Sequence, residues 1–238
     1  MENTELHKTV FKFGYWAALS TAVLTIITFT VAMLTPPLSG PFCEKNCFQY
    51  PFTEIASRFP RDYYWMYLAI VLSFLYLLMM LAIHQSTKNE KKLFSLISIS
   101  FAIMSSFILI IDYFVQVSVI QPSLLAGETD GISILSQFNP HGIFIVFEEL
   151  GFMLMIISFF ALIPVFSKNT KLDKAIKWTA LIGFCLSIIS FLLISMIHGI
   201  QREYRFEVVV ISIAWIELII LSFLFVKHFK KASKSFSD

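Results

Sequence analysis

The sequence predicts an all-α, polytopic membrane protein: a bundle of six transmembrane helices with its N- and C-termini in the cytoplasm. Three observations carry that reading. The 238-residue chain is 57% hydrophobic and only 14% charged, against about 25% charged in an ordinary soluble domain, and its mean hydropathy is +0.77. Six apolar runs each approach the length of about 20 residues that a helix needs to cross a bilayer core. Lys and Arg alternate between abundant and scarce from one connecting segment to the next. So few polar residues leave a soluble globule without a surface. The same composition excludes a disordered chain, a coiled coil and a disulfide-dense mini-protein.

The spans fall at 13–35, 63–83, 93–117, 143–166, 176–197 and 207–226, in one domain covering 1–238. Each is read as a helix because lipid offers no partner to a free backbone amide. The first run is too long for the apolar core of a signal peptide, and no A-x-A site follows it. Gly40, Pro41 and Phe42 before Cys43 make a poor lipoprotein site, so the first span is expected to be retained.

Orientation follows from the basic residues. With the N-terminus inside, the inner segments hold Lys8 and Lys12; Lys88, Lys91 and Lys92; Lys168, Lys171, Lys174 and Lys177; and Lys227, Lys230, Lys231 and Lys234. The outer segments hold only Lys45, Arg58, Arg61, Arg202 and Arg205. This excess places the inner segments in the cytoplasm; the membrane is expected to be the plasma membrane. Every proline except Pro164 falls in an outer loop on this topology. Tyr63, Tyr64, Trp65 and Tyr67 are expected to form an outer aromatic belt, and Tyr15, Trp16 and Trp178 an inner one.

The first outer loop, 36–62, contains Cys43 and Cys47. On the oxidising side of a membrane these predict a disulfide closing a small ring. A metal or redox pair is the alternative, but C-x3-C alone does not specify one. Cys185, in an apolar run, reads as a small buried residue. The second outer segment, 118–142, is long for a helix hairpin, which favours a functional loop. Its Asn139-Pro140 pair marks a turn before the fourth helix and sets His141 near that helix's start.

The most informative residues are carboxylates inside the apolar runs: Asp112, Glu148, Glu149 and Glu217. An ionised acid near the centre of a transmembrane helix costs roughly 2.5–3.5 kcal/mol. No span carries an internal Lys or Arg to offset it, so these acids are expected to turn inward, pair or stay protonated. Helical rise puts Asp112, Glu148 and Glu149 in the outer half and Glu217 near mid-membrane. Gln116, four residues after Asp112, shares its face. Glu148 and Glu149 stand about 100° apart and cannot share one. Asp112, Gln116, Glu148 or Glu149, and Glu217 are therefore expected to line one outward-opening cavity, with His141 and His198 near its rim. Polar stripes Thr21, Thr25, Thr28 and Ser187, Ser195 read as contacts between helices, and Gly151 as a point of close helix approach.

Three functions fit these residues. The first is binding or transport of a small cationic or lipid-like ligand through an outward-facing acidic pocket, whose ligand-binding candidates are Asp112, Gln116, His141, Glu148, Glu149, His198 and Glu217. The second is a membrane-embedded acid/base or metal-dependent enzyme acting on an apolar substrate. The third is a structural subunit of a membrane complex. The transporter version is weakened because spans two, three and six contain no Gly or Pro to break them, and the two three-span halves show no match to one another. A net charge of +2 implies no nucleic-acid partner. No phosphate-binding, dinucleotide-binding or zinc motif occurs, so no cofactor and no metal is expected. Membrane lipid is the expected surrounding partner. The identity of the ligand and the oligomeric state are not specified by the sequence.

Overall fold

The computed structural model describes residues 2–234, with side chains from 8 to 234. It is all-helical, with no strand among the described residues. Eight α-helices run in order: α1 (Glu2–Met33), α2 (Tyr64–Ser86), α3 (Lys92–Val115), α4 (Gln121–Leu125), α5 (Ile132–Leu135), α6 (Ile143–Ala161), α7 (Lys171–His198) and α8 (Tyr204–Lys234). Six segments are long and apolar enough to cross a membrane: Lys8–Met33, Arg61–Ser86, Asn89–Leu125, Ile143–Ala161, Lys171–His198 and Tyr204–Lys234.

The core belongs to α1, α2, α3, α6 and α8. The closest pairings are α1 with α8, α3 with α6, α1 with α2, and α2 with α3. Serine hydroxyls stitch the seams without adding bulk. Ser105 Oγ donates to Gly151 O at 2.7 Å and Ser98 Oγ to Ser158 O at 2.7 Å, both between α3 and α6. Ser106 Oγ reaches Ser73 O at 3.1 Å between α3 and α2. Gly151 is required for this approach, because a Cβ there would stand 2.6 Å from Leu109 Cδ2. Interhelical hydrogen bonds and small residues are what hold helices together where the surroundings are as apolar as the core.

Helix α7 differs from the others. It packs chiefly on α8 and α6, and only 17% of its most apolar stretch is buried, the smallest share among the six. Its inner face is Ile176, Ala180, Gly183 and Ser187, spaced to fall on one side of a helix.

Two of the helix ends that depart from the sequence expectation do so at prolines. The fourth span stops at Ala161 rather than 166, and Pro164 lies in the turns beyond it. A proline there has no N–H to give and clashes with the carbonyl four residues back. The third span, by contrast, does not end at 117. It passes through a π-turn, Gln116–Ile120, directly into α4, which has Pro122 at its start. The wider turn absorbs the proline that would otherwise break the helix. The outer loop read as 118–142 is therefore shorter, and α5 occupies part of it.

The aromatic belt is also corrected. Tyr64 and Tyr67 are exposed, but Tyr63 and Trp65 are buried. Consecutive residues on a helix point about 100° apart, so Tyr64 and Trp65 cannot both face outward, and Tyr63 lies in the short turn before α2. Cys185, expected to be buried, is exposed.

The two ends of the bundle contrast in chemistry. At one end, Cys43 and Cys47 stand at disulfide-bonding distance with Cα atoms 5.8 Å apart, within the usual range of about 4.4–6.8 Å. Their loop packs on the segment after α3 through a small apolar cluster of Phe52, Ile55, Ile120, Ile132 and Phe138. The other end carries the lysine-rich connections.

Candidate functional site

Three long helices bring a carboxyl group to one place below the disulfide-bearing cap. The turn at Asn139-Pro140 closes with Gly142 N–H on Asn139 O at 2.9 Å and starts α6 at Ile143. That start sets Glu148 on the inward face, 1% exposed. Helix α8 begins at Tyr204 and places Glu207 in its first turn, also buried. The Glu148 and Glu207 carboxyls are within hydrogen-bond reach of one another. Tyr113 of α3 donates its hydroxyl proton to Glu148 Oε1 at 2.8 Å. Its neighbour Asp112, 3% exposed, lies near enough to interact with both glutamates.

Two buried carboxyls at this range cannot both stand ionised without compensation; they share a proton or enclose a cation. Glu148 and Glu207 line a crevice of about 210 Å³. Its walls are aromatic, with Phe29, Trp65, Phe144 and Trp215. Trp215 packs edge-on against Phe29 at 5.3 Å and Phe152 at 5.8 Å, and Trp65 against Tyr113 at 5.2 Å. Among the described residues, no Lys, Arg or His lines the crevice. Met33 at the end of α1 and Val208 near the start of α8 belong to its lining and are exposed.

The roof is held by Tyr204. Its hydroxyl donates to Gln137 O at 3.0 Å and meets Ser39 Oγ at 2.7 Å, so both connecting segments are tied to α8. Gly40 has φ +65°, and a Cβ on it would stand 2.4 Å from the Tyr204 ring. Glycine is needed there for both conformation and space.

The other sequence candidates lie elsewhere. Gln116 does not line the crevice. Its amide donates to Leu135 O at 2.6 Å and its oxygen accepts from Gln137 N–H at 3.0 Å, pinning the segment after α5. Glu149, one residue on from Glu148, turns away and pairs with Arg202 at 3.1 Å; that guanidinium sits 4.7 Å over the Phe191 ring. His141 is exposed, with Glu203 4.0 Å away, and His198 is exposed at the end of α7. Glu217 is buried on α8, but it faces α7: a Cβ on Gly183 would stand 2.2 Å from Glu217 Oε2. Neither Glu217 oxygen has a hydrogen-bond partner among the described residues. The single cavity expected to collect Asp112, Gln116 and Glu217 is thus not what the fold builds. The threonine stripe is internal to its helix, with Thr21, Thr25 and Thr28 each donating to a carbonyl four residues back.

Glu207 was missed because it fell on the first residue of the sixth span and read as a boundary residue. A signal was present. Glu207, Val210, Ala214, Leu218 and Leu221 are spaced as one helical face, and all are buried. Extending the apolar stripe back one turn finds the acid.

Among the described residues, no group of three or more His, Cys, Asp or Glu is arranged to hold a metal ion. In comparisons with known proteins, no family model, no curated protein and no solved structure matches the chain.

Proposed function

We propose that this chain is a multi-pass plasma-membrane protein that binds an amphipathic organic cation, an amine with an apolar body, in the crevice below its disulfide-bearing cap. The single observation that supports it is the Glu148–Glu207 carboxyl pair in the lining of an aromatic crevice with no basic side chain among the described residues. A protonated amine replaces the shared proton and accepts compensation from both acids. Aromatic faces add attraction for a cation, and the exposed lining residues Met33 of α1 and Val208 of α8 would give access to a molecule dissolved in the bilayer. His141 and His198 stand outside the crevice, so the acids have no histidine base beside them, which favours binding over acid/base catalysis.

Trp65 and Trp215 in the lining provide the readout. Dodecylamine added to the protein in nanodiscs should change tryptophan emission saturably, and dodecanol should not. Glu148→Gln and Glu207→Gln should each weaken the amine at least about tenfold, since a hydrogen bond to a charged group contributes about 1.5–3 kcal/mol. Equal responses to the amine and the alcohol would sink the reading.

The orientation belongs to the same proposal: the lysine-rich end faces the cytoplasm and the capped end faces out. In a Cys185→Ser background that keeps the disulfide, a membrane-impermeant maleimide should label Glu128→Cys in intact cells. It should reach Lys88→Cys only after lysis. The reverse pattern would invert the topology.

A further inference from the structure

At the lysine-rich end, α3, α6 and α7 leave between them a groove of about 810 Å³, in the upper part of the roughly 300–1,000 Å³ range of ligand pockets. The groove has two zones. Phe94, Ile97 and Phe101 of α3 face Ile157 and Phe160 of α6 across an apolar floor. Phe160 is backed by Phe184 of α7, stacked at 4.2 Å. At the rim stand Lys168, in the turns after α6, and Lys174 and Lys177 on one face of α7, with Trp178 beside them. No carboxylate among the described residues lines the groove. The one acid in the first turn of α7, Asp173, is not part of its lining. None of the three lysines is in an ion pair among the described residues.

The fold keeps the groove open. Lys91 Nζ donates to Val165 O at 2.8 Å, tying the start of α3 to the turns after α6. Pro164 ends α6 and carries Lys168 outward. Helix α7 is displaced from α3, so the space between them is not filled by side chains of this chain.

We propose that this groove binds an anionic diacyl phospholipid from the inner leaflet. Its acyl chains would lie on the Phe94–Phe160 floor and its phosphate among Lys168, Lys174 and Lys177. The reason is complementarity in both zones: an apolar trough of this size ends at three uncompensated cations and an interfacial tryptophan. Basic pockets between transmembrane helices on the cytoplasmic side suit acidic headgroups. A neutral phospholipid would fill the trough but leave the cations unmatched. The inference rests on this end of the bundle facing the inner leaflet. It is independent of the amine crevice, which lies at the other end.

The test is native mass spectrometry of the full chain in neutral detergent, titrated with phosphatidylglycerol or phosphatidylcholine. The wild type should hold phosphatidylglycerol at least tenfold more tightly. A lysine near an anionic lipid contributes about 1 kcal/mol, or roughly fivefold in affinity, so Lys174→Gln with Lys177→Gln should weaken it about 25-fold. Lys88→Gln with Lys171→Gln removes the same charge from the same end, outside the groove, and should cost less than about threefold. Thermal unfolding checks that each variant folds. Lys168→Gln, outside any helix, repeats the test with a roughly fivefold loss should the double variant be unstable. Equal retention of the two lipids would overturn the proposal. Equal losses from the groove and control pairs would overturn it too, because they would mean attraction to the charged end and no site.

Discussion

Glu148 with Glu207 and Glu217 are all buried carboxylates in the same bundle, yet their surroundings are opposite. The first two face one another and adjoin open space, and Glu148 also accepts a hydrogen bond from Tyr113. Glu217 has no hydrogen-bond partner among the described residues and does not line the crevice; its carboxyl occupies the place of the side chain that Gly183 lacks. Depth made Glu217 the stronger functional candidate in the sequence, because the cost of a charge rises toward the centre of a bilayer. The contrast shows that cost alone does not mark a binding site. A ligand needs volume next to the acid, and volume depends on how neighbouring helices close.

The largest effect that would test this contrast is at Gly183. Gly183→Leu forces a side chain into the space held by the Glu217 carboxyl and should cost about 3 kcal/mol, at the upper end for overpacking. In a Glu217→Ala background the same change should cost at least about 1 kcal/mol less, since residues in contact couple by roughly 0.5–3 kcal/mol. Unfolding in mixed micelles measures both. Strict additivity would mean that the two residues do not compete for the same space.

A smaller effect, opposite in sign, is expected at Glu217 itself. A buried polar group without a partner costs about 1–3 kcal/mol. Glu217→Met should therefore raise stability by about 1–2 kcal/mol and leave amine affinity within about twofold. A tenfold loss of amine binding in this variant would erase the distinction between the two acid sites and return Glu217 to the binding machinery.

Much of the helix pattern was legible because its signals are local. A long apolar run has few ways to satisfy its backbone except as a helix, and six such runs are helices here. The prolines were read less well. Pro164 was placed inside a span and lies outside it, whereas Pro122 was placed in a loop and sits in a helix. A proline forbids one hydrogen bond, but whether the chain then stops or widens into a π-turn depends on what packs against it. The site was only half legible. Asp112 and Glu148 stood out as acids in apolar runs, while Glu207 was hidden at a boundary drawn one turn too late.

Composition, apolar run length and the spacing of lysines by themselves determined an all-helical chain with six segments able to span a membrane, because each depends on residues adjacent in sequence. Which acids meet was decided by the tertiary structure. Asp112, Glu148 and Glu207 come from α3, α6 and α8, and their convergence depends on the rotation of each helix about its axis. Those rotations follow from contacts between helices: Gly151 against Leu109, Ser105 on the α6 backbone, Tyr204 tying two loops to α8. A rotation by one residue, about 100°, separates Glu148, which faces the crevice, from Glu149, which faces Arg202.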